Sequence, residues 1–251
     1  MKNLIIILSL FFLSLSAFSE VRIWNDKSGN SYEAEYVREL FDKLTLKTTE
    51  GKEVRVAVED LSEHDQKYLR VMVPPNLKID FSKKTSIKEK PYEMGDLDKD
   101  IVTILSAKVK ITKDSKRPFT SGLKAELFLI GEEVKETQYK ILLSKTDSDF
   151  LLPEKKGEFH EFKTKPIELQ VYTEYDYSRR GPVFIGYLVV VTDKQGNTVQ
   201  VKTNLPWLED KIEELRSLYM HGSASRYSRY FDKKTVQKLK VPRPTGYFKR
   251  N

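Results

Sequence analysis

The chain has no cysteine among its 251 residues and only three histidines. Without cysteine there are no disulfides, no thiolate nucleophile, no cysteine-ligated metal and no lipid anchored on a cysteine at the amino terminus. His64, His160 and His221 are far apart, and none has another histidine three or four residues on, so no zinc spacing is formed. Phosphate-binding glycine loops, EF-hand loops and Gly-x-Ser-x-Gly elbows are also missing. Glu158, His160 and Glu161 lie close together, but on a strand the first two share a face and Glu161 points away, which suits a solvated face better than a metal site. Paired carboxylates remain as raw material for a carbohydrate-active enzyme, with Glu168, Glu174 and Asp176 on or beside one strand. No cofactor, metal or catalytic residue is expected.

Long apolar runs are scarce too. The clearest is Leu4 to Leu15, interrupted only by Ser9 and Ser14, after Lys2 and before Ser16-Ala17-Phe18-Ser19. A basic start, a short apolar core and small residues before a cut after Ser19 predict a cleaved signal peptide over residues 1–19. A spanning helix would need about 20 apolar residues. The mature chain is therefore expected to be exported, periplasmic or secreted, with no transmembrane span.

What is present is enough for folded domains: 39% hydrophobic and 11% aromatic residues. The net charge of +7 is concentrated at one end, since residues 222–251 hold nine Lys and Arg against the single acid Asp232, leaving the remainder near neutral. This basic, aromatic tail includes Arg226, Arg229, Lys233, Lys234, Arg243, Lys249 and Arg250. Cations interleaved with aromatics suit a polyanion, and export favours an anionic lipid surface or envelope polymer over nucleic acid. The alternative is a loosely ordered terminus partly laid over the fold by its aromatics.

Residues 20–73 read as short strands around turns, Asp26-Lys27-Ser28-Gly29-Asn30 and Thr49-Glu50-Gly51-Lys52, closing in a helix that starts at Ser62. Ser62 with Asp65 three residues on forms a capping-box-like start. Asp26 is suited to tie its turn through the carboxylate, and Gly29 to supply a positive φ. Pro74-Pro75 marks a boundary, and residues 74–100 read as a linker or long loop. Seven or so strand-like runs from Ile101 to Thr203 predict a β-sandwich, an immunoglobulin-like arrangement among its forms, with a second barrel as the alternative. One helix with Asn204 as cap and Leu208, Ile212, Leu215 and Leu218 on one face completes a domain over 101–221.

The segment Val21-Arg22-Ile23-Trp24-Asn25-Asp26-Lys27-Ser28-Gly29, followed by Glu33 to Val37, Leu44 to Lys47, Gly51 to Val54 and Leu61 to Tyr68, resembles the first homology domain of the yeast endocytic adaptor Sla. The resemblance implies a small Src-homology-three-like barrel without enzymatic activity. In the yeast adaptor it binds short Asn-Pro-Phe-x-Asp peptides in the cytosol; behind a signal peptide that sorting role does not carry over. A peptide or protein ligand is expected, with Trp24, Tyr32 and Tyr36 as candidates for an aromatic groove. The whole therefore reads as an exported binding or scaffolding protein, against a structural envelope protein held by its tail.

Overall fold

The computed structural model describes residues 21–89, 101–135, 137–173, 177–220 and 230–239. The signal-peptide stretch, the second half of the expected linker, Glu174, Asp176, Arg226, Arg229, Arg243, Lys249 and Arg250 lie outside them. Two compact units divide the chain between Leu69 and Arg70.

In the first unit, β1 (Arg22–Asn25), β2 (Ser31–Leu40), β3 (Lys43–Thr48) and β4 (Glu53–Ala57) form an antiparallel sheet in that order. After a 3-10 turn at Val58–Asp60, the chain returns to β1: Lys27 N–H donates to Asp60 O, Ser62 N–H donates to Asn25 O, and Asp26 bridges Leu61. These bonds pair an edge that a four-stranded sheet would leave open, and so curl it toward a barrel. Helix α1 (Glu63–Met72) follows, with Trp24, Ala34, Leu44, Leu46, Val56, Leu61 and Leu69 buried in the core. The alternation of Val21 and Ile23 places them outward, 48% and 59% exposed, while Trp24 between their register and the turn points in.

The second unit has two five-stranded antiparallel sheets. One holds β5 (Leu77–Glu89), β6 (Ile101–Lys113), β9 (Phe159–Lys163), β10 (Ile167–Thr173) and β11 (Arg179–Arg180). The other runs β13 (Thr198–Thr203), β12 (Pro182–Asp193), β7 (Gly122–Glu133), β8 (Tyr139–Leu151) and β14 (Tyr230–Asp232). Alternate residues of both share one core, including Ile79, Val109, Ile111, Leu127, Leu129, Leu169 and Val191, which makes a sandwich. The opposite face of the second sheet carries a second core, Phe128, Ile130, Leu142 and Val190 under Leu208 and Leu215 of a 3-10 turn (Pro206–Leu208) and helix α2 (Ile212–Met220).

Three expectations need correction. Residues 77–89 are a 13-residue strand and not part of a linker: paired with β6 throughout, their many lysines sit on an exposed edge strand, which is why the composition looked like a loop. Asn204 does not cap the helix. Its Oδ1 accepts from Tyr187 N–H at 2.8 Å and its Nδ2 donates to Ile185 O at 3.3 Å, bridging the irregularity in β12 where Gly186 leaves room; a Cβ on Gly186 would lie 2.5 Å from that Oδ1. Part of the basic tail is also sandwich: β14 pairs with β8, and Tyr230, Phe231 and Val236 are buried.

Candidate functional site

The first-unit signature residues are drawn inward by the strand period. Tyr32, Ala34 and Tyr36 share one face of β2, opposite Trp24 of β1 at the Trp24↔Tyr32 pair. Trp24 is 1% exposed, its Nε1–H donates to Ala34 O at 3.1 Å, and its ring meets Tyr68 edge-on at 5.8 Å. A ring so enclosed is a core residue, the structural role that the sequence pattern also allows it. Tyr32 is half-buried and its hydroxyl donates to Asp26 Oδ2 at 3.1 Å; burial first, then this bond, raises its pKa. Tyr36 is half-buried beside a register shift in β2. The three therefore share a face, Trp24 enclosed and the two tyrosines half-buried.

Asp26 is saturated by its turn. Its Oδ1 accepts from Ser28 N–H at 2.9 Å and Asn30 N–H at 2.8 Å, and its Oδ2 accepts from Asn30 Nδ2 at 2.7 Å. The Asn30 side chain, with further donors, holds the Asp26 carboxyl below its ordinary value. Gly29 has φ +89°, where a Cβ is disfavoured. At the helix start Ser62 Oγ donates to Asp65 Oδ2 at 2.9 Å while Asp65 N–H donates to Ser62 Oγ at 3.2 Å. Asp65 is fully buried and also takes Asn25 N–H at 2.8 Å and Arg22 Nη2 at 2.5 Å. The Arg22 guanidinium lies 3.6 Å from the Tyr68 ring centroid and 4.5 Å from that of Trp24. Arg22, Trp24, Asp65 and Tyr68 thus form one partly buried clasp around the buried Trp24 and Asp65. Arg22 stands two before Trp24 and so on the same strand face, the sign in the sequence that it can join this cluster.

The most exposed large apolar side chain among the described residues of the first unit lies at the tip joining β2 to β3. Leu40 pairs with Lys43, and the two residues between, Phe41 and Asp42, have φ +53° and +60°, both positive as in a two-residue type I′ turn. Such turns favour Asn and Gly; a bulky aromatic there is strained. Phe41 is 91% exposed, and Leu40 beside it 48%. No Gly or Asn marks this turn, so the usual hairpin signal was missing from the sequence.

In the second unit an open cavity of about 1020 Å³ includes Glu126, Lys145, Asp149, Asp193, Lys194 and Arg216 in its lining. Glu126 is buried, with Oε1 2.9 Å from Lys145 Nζ and Oε2 accepting from Arg216 Nε at 2.7 Å. Burial opposes its ionisation, but Arg216 and Lys145 outweigh it and the carboxyl titrates below its ordinary value. A glycosidase acid needs the reverse shift; Glu126 instead docks α2 onto the sheet. His160 stacks on Phe150 with centroids 4.4 Å apart, its Nε2 is 2.9 Å from Ser148 Oγ, and burial lowers its pKa. Glu161 pairs with Lys108 and Lys163, each at 3.2 Å. No cluster able to hold a metal ion occurs among the described residues. Of the basic candidates, Lys233 is exposed with Nζ 5.5 Å from the Trp207 ring centroid, and Lys234 is exposed in the turn after β14.

Residues 14–75 match the model of the SLA1 homology domain 1 family, a family of protein-binding domains. The match covers the whole first unit as described and bears out the resemblance over that segment. No curated protein matches the chain. A solved structure from Akkermansia muciniphila is 15% identical over 64% of this chain and 88% of its own, with a TM-score of 0.23. The beta-D-glucoside glucohydrolase of Trichoderma reesei is 13% identical over 50% of this chain and 18% of its own, also at 0.23. Similarity that low supports no argument about fold or activity. Among the described residues no helix is long and apolar enough to cross a membrane.

Proposed function

We propose that this is an exported, non-catalytic binding protein whose first unit takes a peptide or protein ligand at the Leu40-Phe41 tip. The observation that carries the reading is the match of residues 14–75 to a family of protein-binding domains. Export rests on the basic, apolar and small-residue pattern of residues 1–19. The tip rests on chemistry: folding has no use for a phenylalanine 91% in water at positive φ, and strain of this kind collects at functional sites. Aromatic side chains, phenylalanine among them, are enriched at the core of protein–protein interfaces, where a partner takes them out of water.

Affinity capture from envelope and secreted fractions tests this, comparing the wild-type protein with Phe41→Asn, since asparagine tolerates the left-handed region. The expected result is a partner recovered by the wild type and lost with the variant. Equal recovery by both would remove Phe41 from the binding face, and recovery abolished by salt alone would favour attachment through the basic terminus.

A further inference from the structure

In an antiparallel ladder each residue turns both its N–H and its C=O toward its partner strand or both away, in alternation. On β6 the odd-numbered residues turn toward β9 and its flanks: Lys113 N–H donates to Glu158 O, Gly157 N–H donates to Lys113 O, and Thr164 N–H donates to Ala107 O. The even-numbered residues of β6 therefore face β5. Because the register runs unbroken from Leu77↔Lys113 to Glu89↔Ile101, they meet the even-numbered residues of β5. Its odd-numbered residues turn their N–H and C=O outward, and β5 is the last strand of its sheet. A separate contact agrees: Lys202 Nζ of β13 donates to the outward Ile79 O at 2.5 Å.

Lys202 guards the edge at Ile79, and the Phe81 ring stacks on Tyr187 with centroids 3.7 Å apart. From Lys83 to Lys88 the strand is exposed at every residue, and among the described residues nothing bonds the outward groups of Lys83, Thr85 and Ile87. This stretch has three lysines, no acid and Ile87 at 72% exposure. A second copy of β5 would set lysine against lysine, the ordinary defence of an edge strand. The same charges are complementary to an acidic strand, and the open length is that of an ordinary strand.

We propose that the Lys83–Lys88 edge of β5 binds an extended acidic peptide segment by adding it as a further strand to the first sheet. The main chain of Lys83, Thr85 and Ile87 supplies the hydrogen bonds, while Lys84 and Lys88 on one face select carboxylates and Ile87 on the other gives an apolar contact. This site lies on the second unit and does not depend on the reading of the Phe41 tip.

The test uses an acetylated heptapeptide alternating Glu and Val, with Gln-Val and Lys-Val versions beside it, followed by calorimetry and amide exchange. The Glu peptide is expected to bind and to slow exchange at Lys83, Thr85 and Ile87, whose amides are free before it arrives. Thr85→Pro removes an outward donor and leaves the ladder to β6 intact, so affinity should fall about tenfold or more with the fold unchanged. Should that variant misfold, Lys84→Glu with Lys88→Glu gives a second reading: preference should invert toward the Lys peptide. Absence of binding, protection elsewhere, equal binding of all three peptides, or pairing of two copies through β5 would overturn the proposal.

Discussion

Trp24 and Phe41 belong to the same first unit and stand at opposite extremes of burial, 1% and 91% exposed. Burying an indole removes 150–250 Å² from water, and truncating one in a core costs about 3–5 kcal/mol. Small domains hold about 5–15 kcal/mol in total. Trp24→Ala should therefore unfold or nearly unfold the first unit in a urea titration, and any binding lost with it would report unfolding. Phe41→Asn should leave stability unchanged or raise it by about 1 kcal/mol, because the left-handed conformation ceases to be strained. If Phe41→Asn were as damaging as Trp24→Ala, the tip would be structural after all. Asp26 shows what local chemistry makes legible in advance. Asp26-Lys27-Ser28-Gly29-Asn30 recurs as Asp193-Lys194-Gln195-Gly196-Asn197, and the second aspartate likewise accepts from the residues two and four on, with Gly196 at φ +87°. Both turns could be read from residue types because their bonds are local. The Arg22 to Asp65 contact spans 43 residues, and no local pattern announces it.

At the scale of elements, α2 is fastened by charge as well as by Leu215. Arg216 of the helix, which also meets Glu213 Oε1 at 2.5 Å, joins Lys145 in holding Glu126. Glu126→Gln leaves two cations beside a neutral amide, and breaking such a partly buried network should cost about 3 kcal/mol at neutral pH. The carboxyl pKa is lowered on folding, so its contribution is fully present above the ordinary value of 4.5 and is lost as pH falls through the lower folded value. Acid titration of stability should show the wild type converging on the variant at low pH; a constant gap would rule this linkage out. Strand content was legible where apolar residues alternate, and β6 and β13 run as their patterns predict. β5 was hidden because an exposed edge strand rich in lysine has the composition of a loop. The helix stripe was visible, but Asn204 was drawn to the sheet by the gap that Gly186 opens, a tertiary effect.

For the whole molecule, the basic terminus and the sandwich are not separable at Gly222. The Tyr230 hydroxyl donates to buried Glu133 at 2.9 Å, and Phe231 is fully buried in the core under α2. Ending the chain after Gly222 would strip Phe231 and Val236 from that core, at about 1.5–3 kcal/mol for each large side chain. Ending it after Leu239 would keep Phe231 and Val236 and remove four cations, Lys240, Arg243, Lys249 and Arg250. Thermal unfolding should fall further for the first truncation than for the second; equal loss would contradict the place given to β14. This pair also separates charge from fold in any attachment assay.

The central claim is that the first unit is a binding module whose signature tryptophan holds the fold while Phe41 meets the ligand. Its most direct test is capture of envelope and secreted partners by the wild type and Phe41→Asn, with urea stability measured on the same samples. The account predicts that the variant is at least as stable and that its partner is lost. A variant of wild-type stability that retains the partner in full would contradict it.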